Sequence, residues 1–558
     1  MKKTLTAGSI KAFVFISASV TCMFIPGFNS VMPPLFAIGL AFLTGRVLIS
    51  LFCGIWMGSA LIIGFSTPCE YIKALGYGFF TAADTWIIKG LVNTDHIKIV
   101  VFSLSIGGMI GIISRSGGMQ GVVNSFSKLT ASRRRSLIMT WFLGLLIFFD
   151  DYANNLIVGN SMRPLTDKMK VSREKLSFII DSTSAPVASV SILSTWIGYE
   201  IGLIGSAFSS AGISEDPYMA FIYSLPYRFY AWLLLIMIPI YIFMNRDTGV
   251  MLKAENRALS EKNDVPLKKF PKNNGENSDL QTPTADKCRW YNAVLPIALM
   301  ITSTVAGIII SGISNTASSA KNFSEIVGAA NSFDVLIWGT LISTVFSILL
   351  ISVQKILTLE EIMSAWIKGV KSMMTAMLIL AMAWGLSIVT EELGTAAWIS
   401  EILSDKLPVF ILPALVFLIA GVTSFATGSS WGSMAILFPT AIPTMQAMGT
   451  AQGTEIEIMA VITYATVGSI LTGSILGDHC SPISDTTIMA SMACRINHIE
   501  HVRTQLPYAA VLGIISLFAG YIPAGFGANP YMLIIIQVII AILILYFIGK
   551  KPEEISHD

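Results

Sequence analysis

Uninterrupted apolar runs near the length of a membrane span recur along this chain. The purest is "PYMLIIIQVIIAILILYFI" at 530–548, which carries no charge. A helix rises 1.5 Å per residue, so about twenty such residues cross the ~30 Å hydrocarbon of a bilayer. Only 13% of the 558 residues are charged and 54% are hydrophobic. A soluble domain carries about a quarter charged residues. Transmembrane β-strands would alternate in polarity over about ten residues, and these runs do not. The expected fold is an all-α polytopic membrane protein.

Spans are expected at 10–28, 33–44, 46–66, 97–113, 176–205, 218–244, 290–312, 332–353, 371–391, 458–495, 506–526 and 529–548, about twelve in all. The N-terminal run has the look of a signal peptide but lacks a small-x-small cleavage site, so it is expected to remain as a first span. Residues 245–289 are polar and rich in Lys and Arg, which reads as a mobile cytoplasmic linker between two halves. The six cysteines are scattered without metal-ligand spacing and are expected to be reduced. The net charge of +2 gives no reason to expect nucleic acid as a partner.

Residues 136–162 are apolar enough to cross, yet basic clusters flank both ends: Lys128 and Arg133 to Arg135 before, Arg163, Lys168, Lys170, Arg173 and Lys175 after. Basic residues favour the cytoplasmic side, so a re-entrant hairpin with its tip near "DDYANN" is expected. Residues 407–446, interrupted by "SFATGSSWGS", have almost no basic flank and read as a hairpin entering from outside. Each is followed by a span broken by polar residues, "DSTSAPVASVS" at 181–191 and "GDHCSPISDTT" at 477–487. Setting Pro186 opposite Pro482 pairs Ser189 with Asp485 and Ser191 with Thr487. That order, on opposite sides, is the footprint of an inverted-repeat transporter. The expected divisions are 1–135 (N-terminal scaffold spans), 136–244 (first repeat core), 245–289 (linker), 290–406 (scaffold spans of the second half), 407–505 (second repeat core) and 506–558 (C-terminal spans and tail).

An Asp at the centre of a spanning helix costs ~2.5–3.5 kcal/mol on insertion scales. Asp150, Asp151, Asp181, Asp478 and Asp485 are therefore expected to line protein or water rather than lipid, as candidate cation- and proton-binding groups. Asp150 or Asp151 could instead cap a helix at a hairpin mouth, and Asp181 could cap a half-helix. Pro186 and Pro482 break the helices, and Ser182, Thr183, Ser481, Ser484, Thr486 and Thr487 can bond the freed backbone or coordinate an ion. Hard oxygen donors suit a hard cation. His479 could relay protons or serve as a hydrogen-bonding partner. Asn154 and Asn155 in the first hairpin and Ser429 and Ser430 in the second could line the path or act as packing glue. Trp196, Tyr199 and Trp431 could line a cavity or pack. There is no Walker A motif, no enzyme motif and no cofactor signature.

"GDHCSPISDTT" resembles the most characteristic motif of the NhaC-type Na⁺/H⁺ antiporter family. "FFDDYANNLIVGNSMRPLTDKMKVSREKLSFIIDSTSAPVASVSILSTWIGYE" at 148–200 is similar to that family's first-half signature. The resemblance implies Na⁺ and H⁺ as transported partners, scaffold and transport domains, a homodimer with an elevator motion, and the cytoplasmic membrane as location. It places Asp150, Asp151, Asn154, Asn155, Asp181, Ser182, Thr183 and Pro186 in the first signature. Asp478, His479, Ser481, Pro482, Ser484, Asp485, Thr486 and Thr487 fall in the second. The family also includes exchangers of sodium–lactate for malate and protons.

Three functions follow as expectations. The first is Na⁺/H⁺ exchange by alternating access, with sodium and protons competing for the carboxylate cluster. The second is Na⁺- or H⁺-coupled carriage of an organic solute such as malate, lactate or an amino acid. A scarcity of basic residues at mid-membrane depth favours the first. A channel would need a continuous selectivity pathway, which the hairpin-and-break pattern does not suggest.

Overall fold

The computed structural model describes residues 28–44, 46–64, 67–127, 132–260, 288–315, 330–403 and 405–553. Residues 10–27 of the first expected span and 261–287 of the linker lie outside these. Among the described residues every regular element is helical, and only Asp247 and Lys550 form a β-bridge.

Eight helices among the described residues are long and apolar enough to cross a membrane. They are Thr94–Arg115, Tyr291–Asn315, Ser332–Val353, Leu359–Glu392, Val409–Thr427, Ile456–Cys480, His498–Gly525 and Pro530–Ile548. Pro217–Tyr227 and Phe229–Met244, bent by 48° at Arg228, make a ninth if taken as one span. Asn29–Ala41 and Val47–Ile63 are shorter apolar helices over the expected spans at 33–44 and 46–66.

Two stretches differ from expectation. Residues 68–91, assigned to no span, are helical through Pro68–Thr81, Ala82–Ile87 and Ile88–Leu91. A reciprocal capping box between Thr67 and Glu70 starts the first of these. Within the stretch expected to be linker, Gly249–Ser260 is a helix. Two of its charges have partners: Glu255 accepts from the Ser172 amide at 2.9 Å and pairs with Arg133, and Arg257 pairs with Glu174. Just before it, Asp247 is buried against Lys175 at 2.7 Å. These contacts hold the strap to the start of the Arg173–Ser182 helix.

Small residues bring helix backbones together, as expected where hydrocarbon gives helices no hydrophobic reason to associate. A Cβ on Gly369 would lie 2.1 Å from the carbonyl oxygen of Gly107, so Thr94–Arg115 and Leu359–Glu392 touch backbone to backbone. A Cβ on Gly477 would lie 2.1 Å from that of Gly421, which fixes Ile456–Cys480 against Leu412–Thr427. Arg133–Leu146 and Asp151–Lys168 form one helix–turn–helix unit, and Leu412–Thr427 and Ser430–Ala451 another. Between Thr427 and Ser430, Gly428 takes a left-handed φ of 65°. A Cβ there would sit 2.7 Å from the carbonyl oxygen of Ile483, so this turn rests on the interruption at 481–484.

Candidate functional site

The first interruption begins where Arg173–Ser182 stops and Ala185–Val190 resumes. Pro186 supplies no amide hydrogen, so carbonyls before it lose helical partners. Nearby side chains bond the carbonyls around the break, where Ile179 and Asp181 also keep backbone amide donors. Thr183 Oγ1 donates to the carbonyl of Ile179 at 2.9 Å and Ser184 Oγ to that of Asp181 at 2.8 Å. Asn154 Nδ2 donates to the carbonyls of Thr183 at 2.7 Å, Gly144 at 2.8 Å and Ile147 at 3.2 Å. One amide thus joins the first helix–turn–helix unit to the broken helix.

The second interruption repeats this logic. Ile456–Cys480 ends before Pro482. Ser481 donates its amide to the Asp478 carbonyl at 2.9 Å and its hydroxyl to that of Phe425 at 2.8 Å. Ser484 caps Asp485–Cys494 by accepting from the Thr487 amide at 3.3 Å. Ser429 and Asp150 cap in the same way, accepting from the amides of Gly432 and Ala153.

The interruptions meet through side chains. Asp150, Asp151, Asp181 and Asp478 are all at most 7% exposed. Thr486 Oγ1 reaches Asp478 Oδ2 at 3.5 Å, and the next residue, Thr487, donates to Asp181 Oδ2 at 3.0 Å. Consecutive hydroxyls at the start of one half-helix therefore address carboxylates from both interruptions. Ser430 reaches Asp478 at 3.4 Å, and Asn155 Nδ2 reaches the Thr486 carbonyl at 3.4 Å. Asp485 is exposed and accepts from the Tyr152 hydroxyl at 2.6 Å. Asp151, Asp478 and Asp485 lie close enough to act on one another electrostatically.

Buried side-chain oxygens without a hydrogen-bond partner occur in several places among the described residues, and at this site they include Asp151 Oδ2, Asp478 Oδ1, Asn154 Oδ1 and Asn155 Oδ1. A buried acceptor left unpaired costs about 1–3 kcal/mol, which a bound cation or proton removes. Among the described residues no three His, Cys, Asp or Glu side chains converge as a metal cage. A cation here would draw on amide, hydroxyl and backbone oxygens beside the carboxylates.

Other residues singled out from sequence take different places. The hydroxyls of Ser189 and Ser191 donate to the local carbonyls of Pro186 and Val187. Pro482 is exposed. Trp431 packs between Trp196 and Tyr199, at ring separations of 5.3 and 4.3 Å. His479 is enclosed, with Nδ1 on the Tyr230 hydroxyl at 2.8 Å and Nε2 on Ser182 at 3.2 Å, 3.8 Å from Asp181.

Four participants escape sequence reading. Gln505 and Tyr230 bond to Asp181 and His479, and Tyr152 to Asp485. Arg228, fully buried at the 48° bend, pairs with buried Glu200 at 3.1 Å and also donates to the Ser189 carbonyl. It is one basic residue inside an apolar run, where few were expected. The signal was available, because an ionisable residue inside the apolar run 218–244 is itself a marker.

Comparison with known proteins shows the family of the chain. The model of the "Na+/H+ antiporter family" matches residues 192–526, more than half of the chain. An uncharacterized protein of Haemophilus influenzae is 32% identical over 94% of this chain and 95% of its own length. The malate-2H(+)/Na(+)-lactate antiporter of Bacillus subtilis is 32% identical over 121 residues, 21% of this chain and 23% of that protein. Among solved structures, Neisseria gonorrhoeae MtrF, described within a class of antimetabolite efflux pumps, shares the fold with a TM-score of 0.54 at 12% identity, over 86% of this chain and 93% of MtrF. The chain is a multi-pass membrane protein and belongs to the Na⁺/H⁺ antiporter family.

Proposed function

We propose that this secondary transporter exchanges Na⁺ for H⁺ across the cytoplasmic membrane, at a carboxylate site between two interrupted helices. The observation that carries the reading is the set of partnerless buried oxygens on Asp151, Asp478, Asn154 and Asn155. These are hard donors suited to sodium. We assign the proton to Asp181, a buried carboxylate whose partner Thr487 sits beside Thr486, the Asp478 contact, on one half-helix. Asp478 and Asp181 act on each other electrostatically, so sodium beside Asp478 favours release of the Asp181 proton.

In this reading the two helix–turn–helix units are re-entrant hairpins in an inverted repeat, entering from opposite sides. The segments 136–244 and 407–505 move against scaffold spans in 1–135, 290–406 and 506–558, in an elevator-type dimer of about twelve spans per chain. The basic residues of 245–289 and the C-terminus face the cytoplasm. An occupied, neutralised site crosses a dry barrier, whereas the empty charged site crosses slowly, and the exchange is thereby obligatory.

A second reading is coupled transport of an organic carboxylate, favoured by the identity shared with the malate-2H(+)/Na(+)-lactate antiporter. Everted vesicles carrying a pH-sensitive dye separate the two. Dequenching on addition of Na⁺ or Li⁺ supports exchange. No response to either cation, with uptake of labelled malate, supports the second reading instead.

A further inference from the structure

His501 is fully buried, near Asp181, and has no part in the site described above. A continuous series of side chains leads from it to the surface. Half-buried His498 opens the His498–Ser516 helix. Its Nδ1 lies 3.1 Å from Ser491 Oγ, and Ser491 Oγ lies 2.8 Å from His501 Nδ1. His501 Nε2 lies 2.9 Å from Gln505 Oε1 and 3.9 Å from Asp181 Oδ2. The ring nitrogens of His479, in contrast, meet buried Tyr230, Ser182 and Asp181, which lead to no surface group.

The partners fix the proton positions. The Pro482 carbonyl can only accept, so His498 Nε2, at 2.7 Å, carries hydrogen. Gln505 donates from its nitrogen to Asp181, so its oxygen accepts and His501 Nε2 also carries hydrogen. Both Nδ1 atoms then face one serine oxygen, whose single hydrogen is directed at the Thr487 carbonyl at 2.7 Å and turns to His501 Nδ1 when the route conducts.

We infer that His498, Ser491 and His501 form the proton route between the cytoplasmic surface and Asp181. This rests on the exchange reading and names how its proton arrives. His498 takes a proton from surface water and donates from Nδ1 to Ser491 Oγ. Ser491 passes its own hydrogen to His501 Nδ1. His501, now doubly protonated, gives its Nε2 proton to Asp181 once the 3.9 Å gap shortens to hydrogen-bond reach. One proton has entered, His498 and Ser491 are again neutral, and turning of the His501 ring restores its first tautomer. Release runs the same steps in reverse. The groups facing the inner end are Asp181, His479, Thr487 and Gln505, with Asp485 acting on Asp181 at longer range.

The test uses purified full-length protein in proteoliposomes. Proton-driven ²²Na⁺ uptake is compared with ²²Na⁺ counterflow, which moves no protons. Ser491→Ala lowers the ratio of the two rates by about tenfold or more, at or below the usual worth of a positioned proton-transfer group. Ser491→Thr, which keeps the hydroxyl, restores it. His498→Ala, a change at the surface, is slowed likewise and is rescued by imidazole in the medium. A wild-type ratio in Ser491→Ala, or no rescue by either means, overturns the route while leaving exchange intact. A wild-type protein that moves no protons with Na⁺ or Li⁺ overturns the exchange reading and the route together.

Discussion

Gln505 holds the carboxylate of Asp181, donating from Nε2 to Oδ2 at 2.6 Å. The same nitrogen donates to the carbonyl of His479, also at 2.6 Å. A single side-chain amide thus spans both helix interruptions. It comes from a helix that sequence reading treated as an ordinary span. Hydrogen bonds to a charged group contribute about 1.5–3 kcal/mol. Gln505→Leu is expected to destabilise the protein by that order and to slow exchange. Thermal unfolding in detergent, read beside vesicle transport, checks both.

Asp181→Asn and Asp478→Asn are each expected to abolish cation-dependent proton movement while the protein still inserts. Asparagine keeps the size of the side chain and removes the charge that sodium or a proton must neutralise. Wild-type dye responses from both variants, at matched membrane expression, would contradict the site.

Asn154 serves three carbonyls from two elements. Asn154→Ala leaves them without a donor in a buried setting, at about 1–3 kcal/mol. The expected result is a lower unfolding temperature together with a weaker apparent Na⁺ affinity, measured by titrating the vesicle response. A change in neither quantity would remove Asn154 from the framework.

Arg228 and Glu200 form a pair exposed by 0% and 1%. Removing one partner strands the other charge, at about 3–5 kcal/mol, whereas an apolar pair of similar size is often tolerated. Arg228→Met is therefore expected to fold poorly, and Arg228→Met with Glu200→Leu to recover much of the loss. Equal damage from the single and double changes, by fluorescence-detected size exclusion after heating, would show that the pair is not self-contained.

Much of this arrangement is legible in the sequence because breaking a helix takes recognisable residues. Pro186 and Pro482, each among hydroxyls and beside aspartates, mark both interruptions. "DDYANN" and "SFATGSSWGS" mark the turns at 147–150 and 428–429. Contacts between distant segments are not legible in this way. Nothing around Gln505 distinguishes an amide that bonds Asp181, 324 residues away, from one facing lipid headgroups. Asp485 belongs to the same motif as Asp478, yet one is exposed and the other buried. Their different depths follow from the half-helix starting at Asp485, a boundary set by the Ser484 cap. The Gly249–Ser260 helix is hidden for a related reason, since polar composition reads as linker until Glu255 and Asp247 find Arg133 and Lys175.

The most direct measurement is ²²Na⁺ accumulation by purified protein in proteoliposomes under an imposed proton gradient, with Asp478→Asn in parallel. Sodium moving opposite to protons in the wild type, and not in the variant, is the predicted result. Sodium flux that ignores the proton gradient, or that survives unchanged in the variant, would contradict exchange at these buried carboxylates.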